Sequence, residues 1–269
     1  MKLFIQITAK NLFKFVTNSN YREYLRLALF YGDKPRYRLY KIKFSNVQFE
    51  VPDCRSFIPQ YKDIFVEEDY KFKVGSDKPL IFDCGANIGV SVLYFSKLYK
   101  GATVKAFEAN PQIASILESN IARNNIRNVE VINKAVWIDD NGVDFSMDMA
   151  DASSIFTNGN KEKIESVRLR DLIAREDKID LLKMDIEGAE TEVIKDCIPV
   201  LTKIDKLFIE YHTFNNQPQQ LSVILSILEK NGFRYFLENV NDRKCPFINT
   251  KLGNNASMDT QFNIYAYRI

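Results

Sequence analysis

The spacing of apolar side chains switches between helical and strand periods along the chain, and each switch marks an element. From Met1 to about Gly32 the apolar positions Phe4, Leu12, Phe15 and Val16, then Tyr24, Leu25, Leu27 and Leu29, predict helix, with a break near Thr17-Asn18-Ser19-Asn20. Residues Arg38 to Val51 alternate instead: Tyr40, Ile42 and Phe44, then Val47, Phe49 and Val51, with Ser45-Asn46 between. That period of two predicts a β-hairpin, which Pro52-Asp53 ends. Phe57 to Phe72 is short, aromatic and charged, and reads as a helix followed by a loop or lid. Gly75-Ser76-Asp77-Lys78-Pro79 is a linker. It divides a helical and hairpin extension, residues 1–75, from a main domain, residues 76–269.

In the main domain short apolar runs alternate with helical stretches, as in parallel-sheet folds. Strands are expected at 80–83, 103–107, 129–133, 179–184 and 206–211. Helices are expected at 88–99, 111–124, 187–201 and 217–231, with a short one after 167–174. Gly142 marks the turn of a hairpin carrying Val143 and Phe145, and residues 149–163 read as a polar loop. Residues 233–238 and 262–267 are two final strands, antiparallel because no helix joins them. The fold class is therefore α/β.

Composition adds bounds. The 269 residues are 46 % hydrophobic, enough for a sizeable core, and the net charge of +2 makes no general case for nucleic acid. Cys54, Cys84, Cys197 and Cys245 are far apart in sequence, without the clustering of a disulfide framework or zinc site. Reduced thiols point to a cytosolic protein. No apolar run approaches the roughly 18 residues of a membrane-spanning helix. Charge is uneven, however: in the first fifty residues only Glu23, Asp33 and Glu50 offset the lysines and arginines. Two readings stand for that region. One is a helical cap with a solvated basic face; the other is contact with an anionic membrane or a glycolipid acceptor.

The chemistry gathers in Asp83-Cys84-Gly85-Ala86-Asn87-Ile88-Gly89, between the first buried strand and its helix. The glycines let the backbone approach a ligand, and the helix start offers free N–H groups. A nicotinamide site prefers G-x-G-x-x-G, but Asn87 takes the middle glycine position, and Asp83 would repel a pyrophosphate. Asp83 suits an amino group instead. Glu108, at the end of the next strand, is placed to accept bonds from both ribose hydroxyls. A nucleoside carrying an amino acid and no phosphate meets these constraints, and S-adenosylmethionine is that molecule.

F-D-C-G-A-N-I-G-V-S, F-E-A-N-P, L-L-K-M-D-I-E-G-A-E and I-E-Y-H follow one another in this order. Together they resemble the FkbM family of S-adenosylmethionine-dependent methyltransferases, as do V-P-D-C-R-S-F and D-Y-K-F upstream. The resemblance implies a class I methyltransferase fold: a Rossmann-like seven-stranded sheet with helices on both faces and the final strand antiparallel. It also implies O-methylation of a sugar, glycan or related natural product, with a small-molecule or glycan acceptor. Residue by residue, Asp83, Gly85, Ala86, Asn87 and Gly89 match the first cofactor motif, and Glu108 the ribose-binding acid, with Asn110 nearby. Ala135 and Val136 lie where such folds touch adenine.

Asp185, Glu187 and Glu190 follow the fourth strand, facing methyl donor and acceptor; the two glutamates also suit simple charge compensation at a helix start. His212, the one histidine, follows I-E-Y at the ligand edge and is a candidate general base, with Glu210 as the other candidate or as the group orienting the ring. A metal through Asp185, Glu210 and His212 has no support from spacing, and none is expected. Ser153 and Ser154 belong to a loop that touches ligand or only solvent, and Trp137 to the core or an adenine stack. Two other functions remain: a silent nucleoside-binding partner in a glycan pathway, and a nicotinamide oxidoreductase.

Overall fold

The computed structural model describes residues 12–146, 161–214, 217–240, 244–249 and 258–269. Residues 12–17 are helical, and α1 (Ser19–Tyr31) starts anew at Asn18, whose side chain accepts from the Tyr21 N–H at 3.1 Å. β1 (Tyr40–Phe44) and β2 (Val47–Val51) form the expected hairpin, with Tyr40 opposite Val51. Its turn residues, Ser45 and Asn46, have φ of 46° and 64°, the left-handed conformation that matches strand twist in a two-residue turn. α2 (Cys54–Tyr61) is capped by Asp53 and runs on into a π-helical turn, Lys62–Glu67. Phe44, Phe49, Phe57, Tyr61 and Phe65 pack edge-on, tilted or stacked, with centroids between 4.9 and 6.4 Å.

The main domain runs β3 (Leu80–Cys84), α3 (Val90–Leu98), β4 (Thr103–Phe107), α4 (Pro111–Arg123), β5 (Val129–Ile132), β6 (Ala135–Trp137), β7 (Val143–Ser146), β8 (Lys161–Ile164) and β9 (Ser166–Arg168). It continues with α5 (Leu169–Arg175), β10 (Ile179–Met184), α6 (Glu190–Asp196), β11 (Ile204–Phe214), α7 (Leu221–Lys230), β12 (Arg234–Asn239) and β13 (Met258–Tyr267). Seven strands form one sheet in the order β12-β13-β11-β10-β3-β4-β5. β3, β4, β5, β10 and β11 are parallel, and β13 is inserted antiparallel between β11 and β12. The strand order reverses between β3 and β10. Chains leaving those two strands diverge to opposite faces and open a crevice at their carboxyl ends.

Alternation along the strands divides the core in two. Ile81, Val104 and Leu181 pack with α3, α4 and the amino-terminal elements, whereas Phe82, Phe107 and Leu182 pack with α5, α6 and α7. The hairpin is joined to the first of these faces by Asn120, which is fully buried. Its Oδ1 accepts from the Glu50 N–H at 2.7 Å, and its Nδ2 donates to the carbonyls of Glu50 and Ile88, each at 3.1 Å. Asn124 repeats the clamp on Gln48, at 2.9 Å in both directions. The open edge of β2 is thus satisfied by side chains of the main domain.

Four elements differ from what the spacing predicts. A helix over 187–201 cannot form, because Glu187 and Gly188 take φ of 55° and 104°. α6 therefore starts at Glu190, and a 3₁₀ helix, Ile198–Lys203, follows with Pro199 in its first turn. The helix expected at 217–231 begins at Leu221, beyond Pro218. Gly142 lies at the start of β7, and the partner of β7 is β8, antiparallel to it from Lys161. The expected β-strand at 206–211 is longer, Ile204–Phe214, which carries His212 inside the strand.

Candidate active site

Two walls face each other across the crevice. The first is built on β3 and β4. Gly85 has φ of +84°, and a Cβ there would lie 1.8 Å from the Asp185 carbonyl oxygen. Only glycine lets the ends of β3 and β10 approach so closely. The N–H groups of Gly85 and Ala86 both donate to the Phe107 carbonyl, at 3.0 and 2.9 Å, which ties the turn to β4. Gly89, with φ of +93°, opens α3. Glu108 is pinned by backbone: Oε2 accepts from the Asn87 N–H at 3.0 Å and Oε1 from the Asn110 N–H at 2.8 Å. Burial nevertheless pushes its pKa up to about 7, outweighing those two bonds.

Two first-wall residues do work other than the direct ligand contact expected of them. Asp83 is fully buried, with Oδ2 accepting from Ser91 Oγ at 2.5 Å and Oδ1 lying 3.3 Å from Lys183 Nζ. It presents no open face to an amino group; it ties β3 to α3 and β10. Asn110 is 3 % exposed, and its side chain caps α4 by accepting from the N–H groups of Gln112 and Ile113, at 2.9 and 3.3 Å. Ala135 is buried in β6, opposite Ser166 of β9.

Lys183 joins the walls. It is buried inside β10, opposite Asp83 in register. Its Nζ donates to the Gly85 carbonyl at 2.7 Å and lies 3.4 Å from Asp185 Oδ2. Burial favours the neutral amine, but Asp83, Asp185 and Glu210 outweigh it and keep the side chain a cation.

The second wall is the loop after β10 together with β11. Glu190 Oε1 accepts from the N–H groups of Ile186 and Gly188, at 3.2 and 3.1 Å, and faces His212 Nδ1 at 3.1 Å. This orients the ring. His212 Nε2 then lies 3.7 Å from Glu210 Oε1 and 3.9 Å from Glu187 Oε2. Burial pulls the imidazole pKa down, but Glu187, Glu190 and Glu210 outweigh it and hold it well above the usual histidine value. Burial pushes Glu187 well up and Glu210 up to about 7, with Asp185 adding to both. These groups share protons as one unit.

Access differs among the candidates: the side chains of Asp185, Glu187 and Glu210 are 21 %, 22 % and 19 % exposed, that of His212 only 2 %. One donor atom each of Asp185, Glu187 and His212 lies within 4.8 Å of the others, a span a cation could bridge. The sequence gives no reason to expect a metal there, and offers Glu210 where the structure brings Glu187.

Sequence reasoning missed three residues of this site. A lone lysine inside the buried run Leu181–Met184 was the available signal for Lys183, since such a charge is almost never buried unpaired. Tyr70 packs edge-on against Phe208 at 4.8 Å, and its hydroxyl is held well above the usual tyrosine pKa by burial and by Glu210, Asp185 and Asp83. Gln261 lies opposite His212 across the β11–β13 ladder, donates to Glu210 and reaches His212 Nε2 at 3.3 Å. No signal in the sequence pairs those two strands residue by residue. Trp137 is half-buried against the α5–α7 side of the core. Ser153 and Ser154 lie outside the described residues.

This strand order, with β13 inserted antiparallel and acids at the ends of β3, β4 and β10, is that of a class I methyltransferase-like α/β domain. Residues 83–235, more than half of the chain, match the family described as the methyltransferase FkbM domain, and the chain belongs to that family. Among curated relatives, "Methyltransferase 1" of Beauveria bassiana is 26 % identical over 161 residues, covering 50 % of this chain and 65 % of that protein. "Methyltransferase sdnD" of Sordaria araneosa is 27 % identical over 172 residues, 50 % of this chain and 66 % of that one. The chain thus matches just under two-thirds of the length of each. Among solved structures, methyltransferase FkbM from Methylobacillus flagellatus aligns with a TM-score of 0.47 at 19 % identity, over 80 % of this chain and 52 % of that one. TYW2 of M. jannaschii in complex with AdoMet aligns with a TM-score of 0.46 at 15 % identity, over 88 % and 89 %.

Proposed function

We propose that this chain transfers a methyl group from S-adenosylmethionine to a hydroxyl of a sugar, glycan or related natural product. The observation that carries the reading is the division of labour between the walls: one acid pinned by backbone N–H groups, facing a group of exposed-edge carboxylates around a buried histidine. Membership of the FkbM methyltransferase family supports the reaction class. The glycan class of acceptor rests on the resemblance of the sequence motifs to that family.

The residues present suit this cofactor. Glu108 has both oxygens fixed by backbone donors and further lone pairs for ribose hydroxyls. The close turn at Gly85 admits backbone to the ligand. Asp185, Glu187 and Glu210 favour positive charge and disfavour a pyrophosphate, which speaks against a nicotinamide dinucleotide. When bound, S-adenosylmethionine supplies a methyl group already activated on sulfur. What remains for the protein is to orient the acceptor and take its proton. Orientation alone contributes about 7–11 kcal/mol in favourable cases.

A buried imidazolium has no lone pair to offer, so we assign proton acceptance to Glu210, which reaches the crevice and has a pKa near working pH. Glu187 stands beside it. His212 holds these carboxylates together through charge, and Glu190 holds His212. The test is S-adenosylhomocysteine release with a panel of sugars and glycans, read alongside thermal shifts with S-adenosylmethionine and NAD. The reading predicts a shift with S-adenosylmethionine alone and product release with a hydroxylated acceptor. A shift with NAD alone would overturn it.

A further inference from the structure

The exposed apolar side chains of the amino-terminal region are not scattered. Leu12, Phe13, Phe15, Val16, Leu29 and Phe30 are between 46 % and 80 % exposed, all within residues 12–17 or α1. Single exposed apolar residues need no explanation, but a run of them on adjoining helices does. α1 uses its other face for the fold: Leu27 is fully buried and Asn20 donates to the Phe65 carbonyl at 2.9 Å. Leu25 and Leu29 follow Arg22 along the outer ridge at helical spacing. Arg22 in turn donates to the carbonyls of Phe15 and Val16, both at 2.9 Å, which fixes the end of the 12–17 helix against that ridge. The exposed apolar side chains thus lie on two helices that Arg22 holds together.

Charge says what covers them. Positions 12 to 43 carry eight Lys and Arg; Lys14, Arg26, Arg36 and Lys41 are ion-paired, with Glu67, Glu23, Asp53 and Glu50, so the excess rests on Arg22, Lys34, Arg38 and Lys43. Lys34 and Arg38 are exposed and follow Leu29 and Phe30 closely in the chain, so positive charge borders the apolar end of α1. A second copy of this chain would bring a second positive patch against the first. An anionic lipid surface brings the opposite charge and an apolar layer beneath it, the pairing that basic amphipathic helices use. No helix among the described residues is long and apolar enough to cross a membrane. The geometry points to residues 12–39 as a docking face for an anionic membrane, with Leu29, Phe30 and the 12–16 side chains among the acyl chains and Lys34 and Arg38 at the headgroups.

The test is flotation of the full chain with phosphatidylcholine vesicles, with and without phosphatidylglycerol. The expected result is recovery with the anionic vesicles only, weakened by added salt. Leu29→Glu with Phe30→Glu should lower the bound fraction at least tenfold, and Lys34→Glu with Arg38→Glu should do so on anionic vesicles, while thermal shifts show both variants folded. Absence of binding to anionic vesicles overturns the proposal. So does a concentration-dependent dimer in sedimentation that Leu29→Glu with Phe30→Glu abolishes, since the ridge then belongs to a second copy.

Discussion

The two walls of the crevice carry similar side chains and treat them in opposite ways. On the first, Asp83 meets Ser91 and Lys183, and Glu108 meets two backbone N–H groups. On the second, Glu187, Glu190 and Glu210 converge on one histidine. On the first wall Glu108 is fixed at both oxygens by backbone and Asp83 by Ser91 and Lys183, which makes it a rigid seat. The second is left short of positive charge, and its protons are shared. Acids whose bonds are already made can hold a ligand in one pose; acids that compete for too little charge can accept a proton. The difference lies less in residue type than in how the acids are partnered, each by its own donors on the first wall and around one shared imidazole on the second.

The strongest way to break this contrast is to remove the cation that joins the walls. Lys183→Met leaves Asp83 buried without its partner, and should destabilise the protein by about 3–5 kcal/mol in denaturant unfolding. Next in size is the second wall. Glu210→Gln should lower turnover by roughly 10²–10⁴-fold while the affinity for S-adenosylmethionine changes little. His212→Ala should also lower turnover, and equal activity in that variant would remove His212 from the mechanism. On the first wall, Glu108→Gln should weaken S-adenosylmethionine binding by about 1.5–3 kcal/mol, the size of a charge-assisted hydrogen bond.

Proton sharing makes a smaller and independent prediction. Glu108 and Glu210 have pKa values of about 7 when folded against an ordinary 4.5, and His212 also lies above its ordinary 6.5. All three bind more protons folded than unfolded, so stability falls as pH rises from the ordinary carboxylate range through about 7. Without ligand the melting temperature should be higher at mildly acidic pH than at alkaline pH. Glu210→Gln should flatten that slope. The smallest effect expected is that of a chelator: with His212 supplying positive charge among the carboxylates, activity should survive metal removal, and loss of activity restored by a divalent cation would give the Asp185, Glu187 and His212 group a different role.

The contrast also separates what could be read in the chain from what could not. Strand, turn and acid recur at short range, so the run from Leu80 to Gly89 and the acid at 108 were legible from apolar spacing and glycine position alone. The seven-stranded sheet and its antiparallel final strand came with the motif resemblance and agree with the structure. What was illegible is carried by register between distant strands. Lys183 faces Asp83, and Gln261 faces His212, only because β10 lies beside β3 and β13 beside β11. Asn120 looks like a helix-surface residue until the hairpin is laid against it. The late start of α6 follows from left-handed backbone at Glu187 and Gly188, and the helical period of the sequence runs straight through that point.

The central claim is that the first wall seats the cofactor and the second handles the proton. Calorimetric titration of S-adenosylmethionine into the unaltered protein, Glu108→Gln and Glu210→Gln tests it most directly. The account predicts binding to the unaltered protein, binding weakened by at least tenfold in Glu108→Gln, and near-equal binding in Glu210→Gln. No binding to the unaltered protein, or equal affinity in all three, would contradict it.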